Sequence, residues 1–566
     1  MNAVSNRPRV YFIADFNIEM LARLVAHTVV PGAEVATAPF GQVMPALAGA
    51  PPGPDWTVVV WTQPASVVDA FHRALAFEPV VVDEALAETR AYAEAIVRFA
   101  AGARAVFVPA WVRPPWQRGY GMLDFRPGTG IGHLLAQMNL ALAEALRDHP
   151  SIFVLDAQRW MAAVGPRGWS QKLWYAAKSP FAPALLEEAA RDIGAALAGL
   201  DGVARRLVIV DLDNVLWGGV VGETGWQGLN LGGHDHVGEA FADFQHALKG
   251  LTRRGVQLAI ASRNDESTAL EAIDRHPEMQ LRRDDFAGWR INWGDKAQNI
   301  LELLADLRLG PESAVFIDDS AVERARVETA IPEVAVPDWP ADPARFSETL
   351  LSLRVFDSPF LTAEDRARTR MYAAERTRRV DPAAAGNLEE WLESLDIRVT
   401  VEPLSDSNVD RTVQLFNKTN QMNLATRRLS KTELQAWASD PDHLLLTLRV
   451  ADRFGDSGVT GIAGISIEGA RARLVDFILS CRVIGRGIED AMLHVAIAQA
   501  RTRGATEIVA ELRPTPRNGP CLDFLRRSEL RGISDTVFVW DAADAYPRPR
   551  WCTLYDSPGM AAAVDQ

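Results

Sequence analysis

Short apolar runs recur along the chain, separated by longer stretches in which apolar residues return every three or four positions. Across residues 1–203 the runs are Val10-Tyr-Phe-Ile-Ala14, Trp56-Thr-Val-Val-Val-Trp61, Ala105-Val-Phe-Val-Pro109 and Ile152-Phe-Val-Leu155. Strands alternating with helices predict a parallel α/β sheet. Residues 204–355 repeat the pattern with Leu207-Val-Ile-Val210, Val256-Gln-Leu-Ala-Ile-Ala261 and Ala314-Val-Phe-Ile317. Helical periodicity over 237–254 and 296–307 fills the gaps, which predicts a second doubly wound sheet. A connector rich in Arg, Glu and Ala over 363–379 reads as helical and leads through Asp381-Pro382 into a third block. That block, 385–566, carries strands of antiparallel character at 397–403, 444–449, 461–467, 472–479, 507–512 and 536–540, and a hairpin turn over Arg453-Phe-Gly-Asp-Ser-Gly458. The organisation predicted is 1–203, 204–355, a helical linker at 356–384, and an α+β block at 385–566.

The chain has 566 residues, too many for one core. Its hydrophobic fraction of 48% and charged fraction of 23% are those of ordinary globular protein. A net charge of −14 argues against general binding to nucleic acid. Three cysteines make no secreted disulfide framework in a chain of this length. The first residues lack the apolar region of a signal peptide, and no apolar run approaches the roughly 20 residues that span a bilayer. A cytoplasmic location is expected, with no membrane partner.

The chemistry concentrates at the ends of the middle block's strands. Asp211 and Asp213 close the first, in Leu207-Val-Ile-Val-Asp-Leu-Asp-Asn-Val-Leu-Trp-Gly-Gly219. Two carboxylates at the end of a buried strand need compensation, which a divalent metal supplies. Asp-x-Asp there suggests one nucleophile and one proton shuttle. Ser262 ends the second strand, Lys296 opens a helix within Asn292-Trp-Gly-Asp-Lys-Ala297, and Asp318 with Asp319 ends the third. A hydroxyl and an ammonium suit phosphoryl oxygens, and carboxylates suit Mg²⁺. Singly, each is as readily a helix cap or a solvated charge; the ordered set is specific.

This set resembles the haloacid-dehalogenase (HAD) superfamily. The resemblance implies Asp211 as nucleophile, Asp213 as general acid/base, Ser262 and Lys296 as phosphate-binding residues, and Asp211, Asp213, Asp318 and Asp319 around Mg²⁺. The short segments between the motifs predict no large cap, which suits a bulky or protein-borne substrate. Asp211-Leu-Asp-Asn-Val-Leu-Trp-Gly-Gly-Val-Val-Gly-Glu223 and Phe316-Ile-Asp-Asp-Ser-Ala-Val-Glu-Arg324 further resemble the FkbH-like glyceryl transferases. So do Asn417-Lys-Thr-Asn-Gln-Met-Asn-Leu-Ala-Thr-Arg-Arg428 and Ser480-Cys-Arg-Val-Ile-Gly-Arg-Gly-Ile-Glu489. Asp15-Phe-Asn17 and Trp174-Tyr-Ala-Ala-Lys-Ser-Pro180 fit the same family in the first block. Val215 and Ser320 depart from it where Thr and Asn are more usual. Such proteins take a glyceryl unit from 1,3-bisphosphoglycerate, remove its phosphates, hold it as a cysteine thioester, and pass it to the phosphopantetheine of an acyl carrier protein for polyketide extender units.

In the third block, Cys481 follows an apolar strand and precedes Arg482-Val-Ile-Gly-Arg-Gly487 and a helical stretch. Backbone N–H groups at such a turn form an anion site. The turn resembles that of GNAT-type acyltransferases, which implies Arg482, Gly485, Arg486 and Gly487 around a pantetheine phosphate. Arg482, Arg486 and the helix start would lower the Cys481 pKa; a small buried hydrophobe is the alternative reading. Cys521 and Cys552 read as structural, and His234 and His236 as surface or packing residues. Arg427 and Arg428 read equally as a carrier-protein contact or a solvated basic pair. Asp15-Phe-Asn17 sits where SGNH-type hydrolases carry Gly-Asp-Ser, but without the serine or an Asp-x-x-His partner, which implies a non-catalytic SGNH-like domain whose tryptophans are core. The expected fold is therefore α/β multidomain, with a Rossmann-like HAD core between SGNH-like and GNAT-like domains. Two other functions remain open on the sequence: a Mg²⁺-dependent phosphatase of small phosphomonoesters, and a non-enzymatic carrier-protein adaptor.

Overall fold

The computed structural model describes residues 7–360, 392–393, 395–419, 421–453, 455–480, 483–484, 486–515, 518–542 and 544–557. The expected connector at 363–379 lies outside the described residues, as do Cys481, Arg482 and Gly485. Contacts group the chain into two compact units, Met1–Leu197 and Ala198–Gln566. Among the described residues no helix is long and apolar enough to cross a membrane.

The first unit is built on β1 (Arg9–Ala14), β2 (Glu34–Thr37), β3 (Trp56–Trp61), β4 (Ala105–Pro109) and β5 (Ile152–Leu155). They form one parallel sheet in the order β2-β1-β3-β4-β5. All residues of β3 and β4 are buried, which is why their sequences read as unbroken apolar runs. The edge strand β2 is only partly covered and carries no such run. Helices Val82–Ala100 and Ile131–Leu146 send Tyr92, Ile96, Phe99, Leu135 and Met138 into the same core as Val58, Val60 and Val106. Trp61, Trp111 and Trp160 are fully buried, as expected of core tryptophans, whereas Trp116 is largely exposed.

The second unit holds two sheets. The first joins β6 (Leu207–Val210), β7 (Gln257–Ser262), β8 (Phe286–Ile291) and β9 (Ala314–Ile317) in the parallel order β8-β7-β6-β9. Alternation along β6 divides its side chains between two cores. Val208 and Val210 pack with Phe244 and Leu248 of helix His236–Arg253. Leu207 and Ile209 pack with Ile300 and Leu303 of helix Lys296–Asp306. Each such side chain contributes about 1.5–3 kcal/mol by leaving water. Covered on both faces, the sheet exposes mainly its strand ends. The partly exposed edge strand β8, with Gly288 and Arg290, shows no clean periodicity and was not expected from the sequence.

The second sheet contains β10 (Ile397–Pro403), β11 (Met422–Asn423), β12 (His443–Asp452), β13 (Gly455–Glu468), β14 (Arg471–Leu479), β15 (Glu507–Glu511), β16 (Arg531–Gly532), β17 (Val537–Asp541) and β18 (Cys552–Asp556). Its order is β16-β17-β15-β14-β13-β12-β10-β18, with β11 beside β14. The β12–β13 hairpin closes between Asp452 and Gly455, so the turn is tighter than the 453–458 stretch expected, and Gly455–Gly458 already belongs to the ladder. β14 and β15 pair in parallel, and parallel neighbours need a crossover, here provided by helix Ile488–Thr502. The chain is thus mixed α/β with several sheets, as expected.

Candidate active site

The three parallel strands β6, β7 and β9 end side by side and deliver the predicted residues to one place. Asp211 follows β6, and its backbone N–H donates to the Ile317 carbonyl at 3.0 Å. Asp318 follows β9 and is fully buried. Lys296 is the first residue of its helix, behind the Asp295 cap, whose carboxylate accepts from Gln298 N at 3.0 Å. That placement aims the buried Lys296 ammonium at both carboxylates, 2.8 Å from Asp211 Oδ2 and 2.5 Å from Asp318 Oδ2.

One ammonium does not balance the site. Oxygens of Asp211, Asp318 and Asp319 all lie within 4.8 Å of one another. Burial pushes the Asp318 carboxyl up to about 6, the Asp211 charge adds to it, and Lys296 only partly opposes it. Asp319 is raised by burial and then by Asp211. Burial opposes the charge on Lys296, but the Asp211 and Asp318 carboxylates outweigh it and leave the ammonium above its ordinary value. Asp211 Oδ1 is buried with no hydrogen-bond partner. An orphaned carboxylate oxygen beside two further carboxylates fits a hard divalent cation such as Mg²⁺. Asp211, Asp318 and Asp319 are the residues to hold it.

Asp213 departs from expectation. Its carboxylate is not in that cluster. Oδ1 accepts from Trp217 Nε1 at 2.9 Å and Val221 N at 3.1 Å, and Oδ2 accepts from Asn264 Nδ2 at 2.9 Å. Three donors hold the side chain in place, so its carboxylate is turned away from the cluster in this arrangement. Asn214 with φ 56 lets the chain turn sharply between them, and its Oδ1 accepts from Gly219 N at 3.0 Å. Ser262 ends β7, buried, with its Oγ 3.2 Å from Asn264 Nδ2.

Several neighbours escaped the sequence. Besides Asn264 and Trp217, Arg324 Nη1 donates to the Asp318 and Asp319 carbonyls at 2.7 and 2.8 Å and fixes the acidic loop. Arg263 pairs with Glu323 at 2.7 Å, tying the loop after β7 to the helix after β9. Arg324 closes the Phe316–Arg324 motif, and Arg263 and Asn264 directly follow Ser262, but nothing in their spacing announces these contacts. His234 and His236 are exposed, beside the helix cap Asp235, in keeping with a surface role.

The third block corrects two expectations. Arg486 is buried and its Nη1 meets the Asp452 carboxylate at 3.1 Å, so its guanidinium serves the domain interior and does not line an anion site. Gly487 starts helix Ile488–Thr502 with φ 69, and a side chain there would collide with the Trp551 indole. Arg427 is not simply a solvated cation: it pairs with the fully buried Asp476 and lies 5.0 Å over the Trp437 ring. Arg428 donates to the Phe416 carbonyl. Cys521 and Cys552 are buried, with thiols pushed by burial up to about 12 and about 11, as structural cysteines should be.

In the first unit, Asp15 follows β1 and accepts from Gln63 N at 3.1 Å and from Ser66 Oγ, while burial holds its carboxyl near about 6. Asn17 is exposed and spends its side-chain oxygen on Glu19 N at 3.1 Å.

No family model and no curated protein sequence matches this chain. Among solved structures it is similar to the N-terminal part of protein BF1531 from Bacteroides fragilis, described as containing a phosphatase domain complexed with Mg. The identity is 24%, the match covers 63% of this chain and 96% of that one, and the TM-score is 0.58. The likeness is one of fold. The GNAT domain of S. lividans PAT matches 25% of this chain and 89% of its own at 19% identity, with a TM-score of only 0.21. The PaiA N-acetyltransferase from Thermoplasma acidophilum, solved with coenzyme A, matches 25% and 98% at 16% identity, with a TM-score of 0.19.

Proposed function

We propose that the chain is a two-site acyl-loading enzyme: a Mg²⁺-dependent phosphoryl site in the middle block, and a thiol site in the third that hands a glyceryl unit to an acyl carrier protein. The observation that carries the phosphoryl half is the buried Lys296 ammonium between Asp211 and Asp318, with Asp211 Oδ1 left unpartnered. A carboxylate with a free oxygen at a strand end is placed to attack phosphorus. Mg²⁺ held by Asp211, Asp318 and Asp319 would offset the charge gathered on the transferring phosphoryl group. Lys296 would pair with a phosphoryl oxygen, Ser262 would donate to another, and Asp213 would serve the leaving oxygen and then the attacking water.

The acyl half rests on the resemblance around Cys481 and on the β14–helix–β15 crossover that follows it. On this reading the Cys481 thiolate attacks the acyl-phosphate carbonyl of 1,3-bisphosphoglycerate, the C–O bond breaks and inorganic phosphate leaves. Asp211 removes the remaining phosphate, and the carrier's pantetheine thiol displaces Cys481 from the thioester.

Incubation with 1,3-bisphosphoglycerate, Mg²⁺ and a holo carrier protein tests both halves by intact mass. A glyceryl adduct on the enzyme, lost in Cys481→Ala, and a glyceryl-loaded carrier are expected; Asp211→Asn should leave a phosphate on the acyl group. No adduct on either protein overturns the reading. The commitment of Arg486 to Asp452 favours a second reading, a phosphatase of small phosphomonoesters, because it removes one cation from the anion site. Phosphate release that Cys481→Ala leaves unchanged, with no acyl transfer, would select it.

A further inference from the structure

We infer that Asn264 is the positioning residue that holds the acid/base carboxylate and the phosphate-binding hydroxyl in one frame. The inference rests on the phosphoryl-transfer reading of the site. Asn264 is buried on the turn between β7 and helix Glu266–Arg275. Its Nδ2 reaches Asp213 Oδ2 at 2.9 Å and Ser262 Oγ at 3.2 Å. An ionised carboxylate only accepts, so the atom facing it is the amide nitrogen. Both N–H bonds are then used, one on each functional group. Ser262 accepts from Asn264, which leaves the hydroxyl's own hydrogen for a phosphoryl oxygen. The other Asp213 oxygen is fixed by Trp217 and Val221. One amide therefore links the loop after β6 to the loop after β7, and sets the distance between a proton carrier and a phosphate donor. Neither Asp nor Ser can replace it, because neither offers two N–H bonds from one atom.

The chemistry says which half-reaction depends on this most. Asp211 attacks phosphorus, the bond from phosphorus to the leaving oxygen breaks, and that oxygen takes a proton from Asp213 when it is basic enough to need one. Water then attacks the aspartyl phosphate, gives its proton to Asp213, the bond from Asp211 to phosphorus breaks, and inorganic phosphate leaves. An acyl phosphate departs as a stable carboxylate without help. The second half always needs Asp213 aimed at the water.

Acetyl phosphate with the full chain and Mg²⁺ is the probe. In Asn264→Ala, kcat should fall about 10–100-fold, the range for losing an orienting partner, with a smaller rise in KM. The phosphorylated enzyme should accumulate on intact-mass spectra beyond the wild-type level, because its formation outruns its hydrolysis. Asn264→Asp has the same shape and volume but sets a carboxylate against Asp213, so it should lose at least as much. A residue that merely fills space would tolerate that change. Combined with Ser262→Ala, Asn264→Ala should reduce kcat less than it does alone. Wild-type turnover with Asn264→Asp equal to it would overturn the assignment and leave the phosphoryl reading standing. A wild-type chain that neither forms a phosphoenzyme nor releases phosphate would overturn the reading itself.

Discussion

Replacing Asp318 by Asn should stabilise the metal-free protein at neutral pH, although Asp318 sits in an ion pair. Asp318 is fully buried among like charges, and Lys296 must serve both it and Asp211. Its carboxyl is pushed from 3.8 to about 6. Below pH 3.8 both folded and unfolded chains hold the proton. Between there and about 6 only the folded chain holds it, so stability falls as pH rises through that window. A shift of roughly two units corresponds to about 3 kcal/mol, all of it a penalty by pH 7.5. Asn mimics the protonated acid and carries no such penalty. The two proteins should match near pH 4 and diverge by about 3 kcal/mol at pH 7.5 in EDTA, the substituted one being tighter. Mg²⁺ should close the gap and then reverse it: the wild type gains about 2.7 kcal/mol at a hundredfold excess over Kd and about 4.1 kcal/mol at a thousandfold, whereas Asp318→Asn gains little. A chain with several cores does not unfold in one step, so the measurement is amide-exchange protection along β6 and β9. Faster exchange there in metal-free Asp318→Asn at pH 7.5 would refute the argument that the site carries excess negative charge.

Three further outcomes are expected. Arg486→Ala should destabilise the third block by about 3–5 kcal/mol in urea, because it strands the buried Asp452 carboxylate, while Arg486→Met with Asp452→Leu should recover most of that. Gly487→Ala should lower stability by about 1–3 kcal/mol, through positive φ and collision with Trp551, read as an earlier urea transition. Iodoacetamide at pH 8 should leave Cys521 and Cys552 unmodified in the folded chain, since burial holds both thiols far above that pH; alkylation of either in a peptide map would contradict their packing.

How much was legible beforehand varies by element. β3, β4, β6, β7 and β9 were readable because burial on both faces imposes continuous apolar runs. The edge strands β2 and β8, each with one side toward solvent, mix polar and apolar residues and were invisible. Asp211, Lys296 and Asp318 were identifiable because charged side chains at the ends of buried strands demand partners. The ion pairs of Arg427 and Arg486 are not legible in the sequence because a cation's partner is not encoded near it: Asp476 is 49 positions away and Asp452 is 34.

The sequence alone determined the alternation of strands and helices and the few residue types able to do phosphoryl chemistry, since both follow from local periodicity and from what each side chain can ionise or donate. The tertiary structure decided which of those groups share a volume. The Asp213 carboxylate, expected at the metal, is instead clamped by Trp217, Val221 and Asn264, which reach it first. Asp318 rose to about 6 because burial strips its water and places a second carboxylate beside it. Those effects depend on distances of a few ångströms between segments far apart in the chain, and hydrogen bonds and Coulomb forces are fixed only when the fold sets those distances.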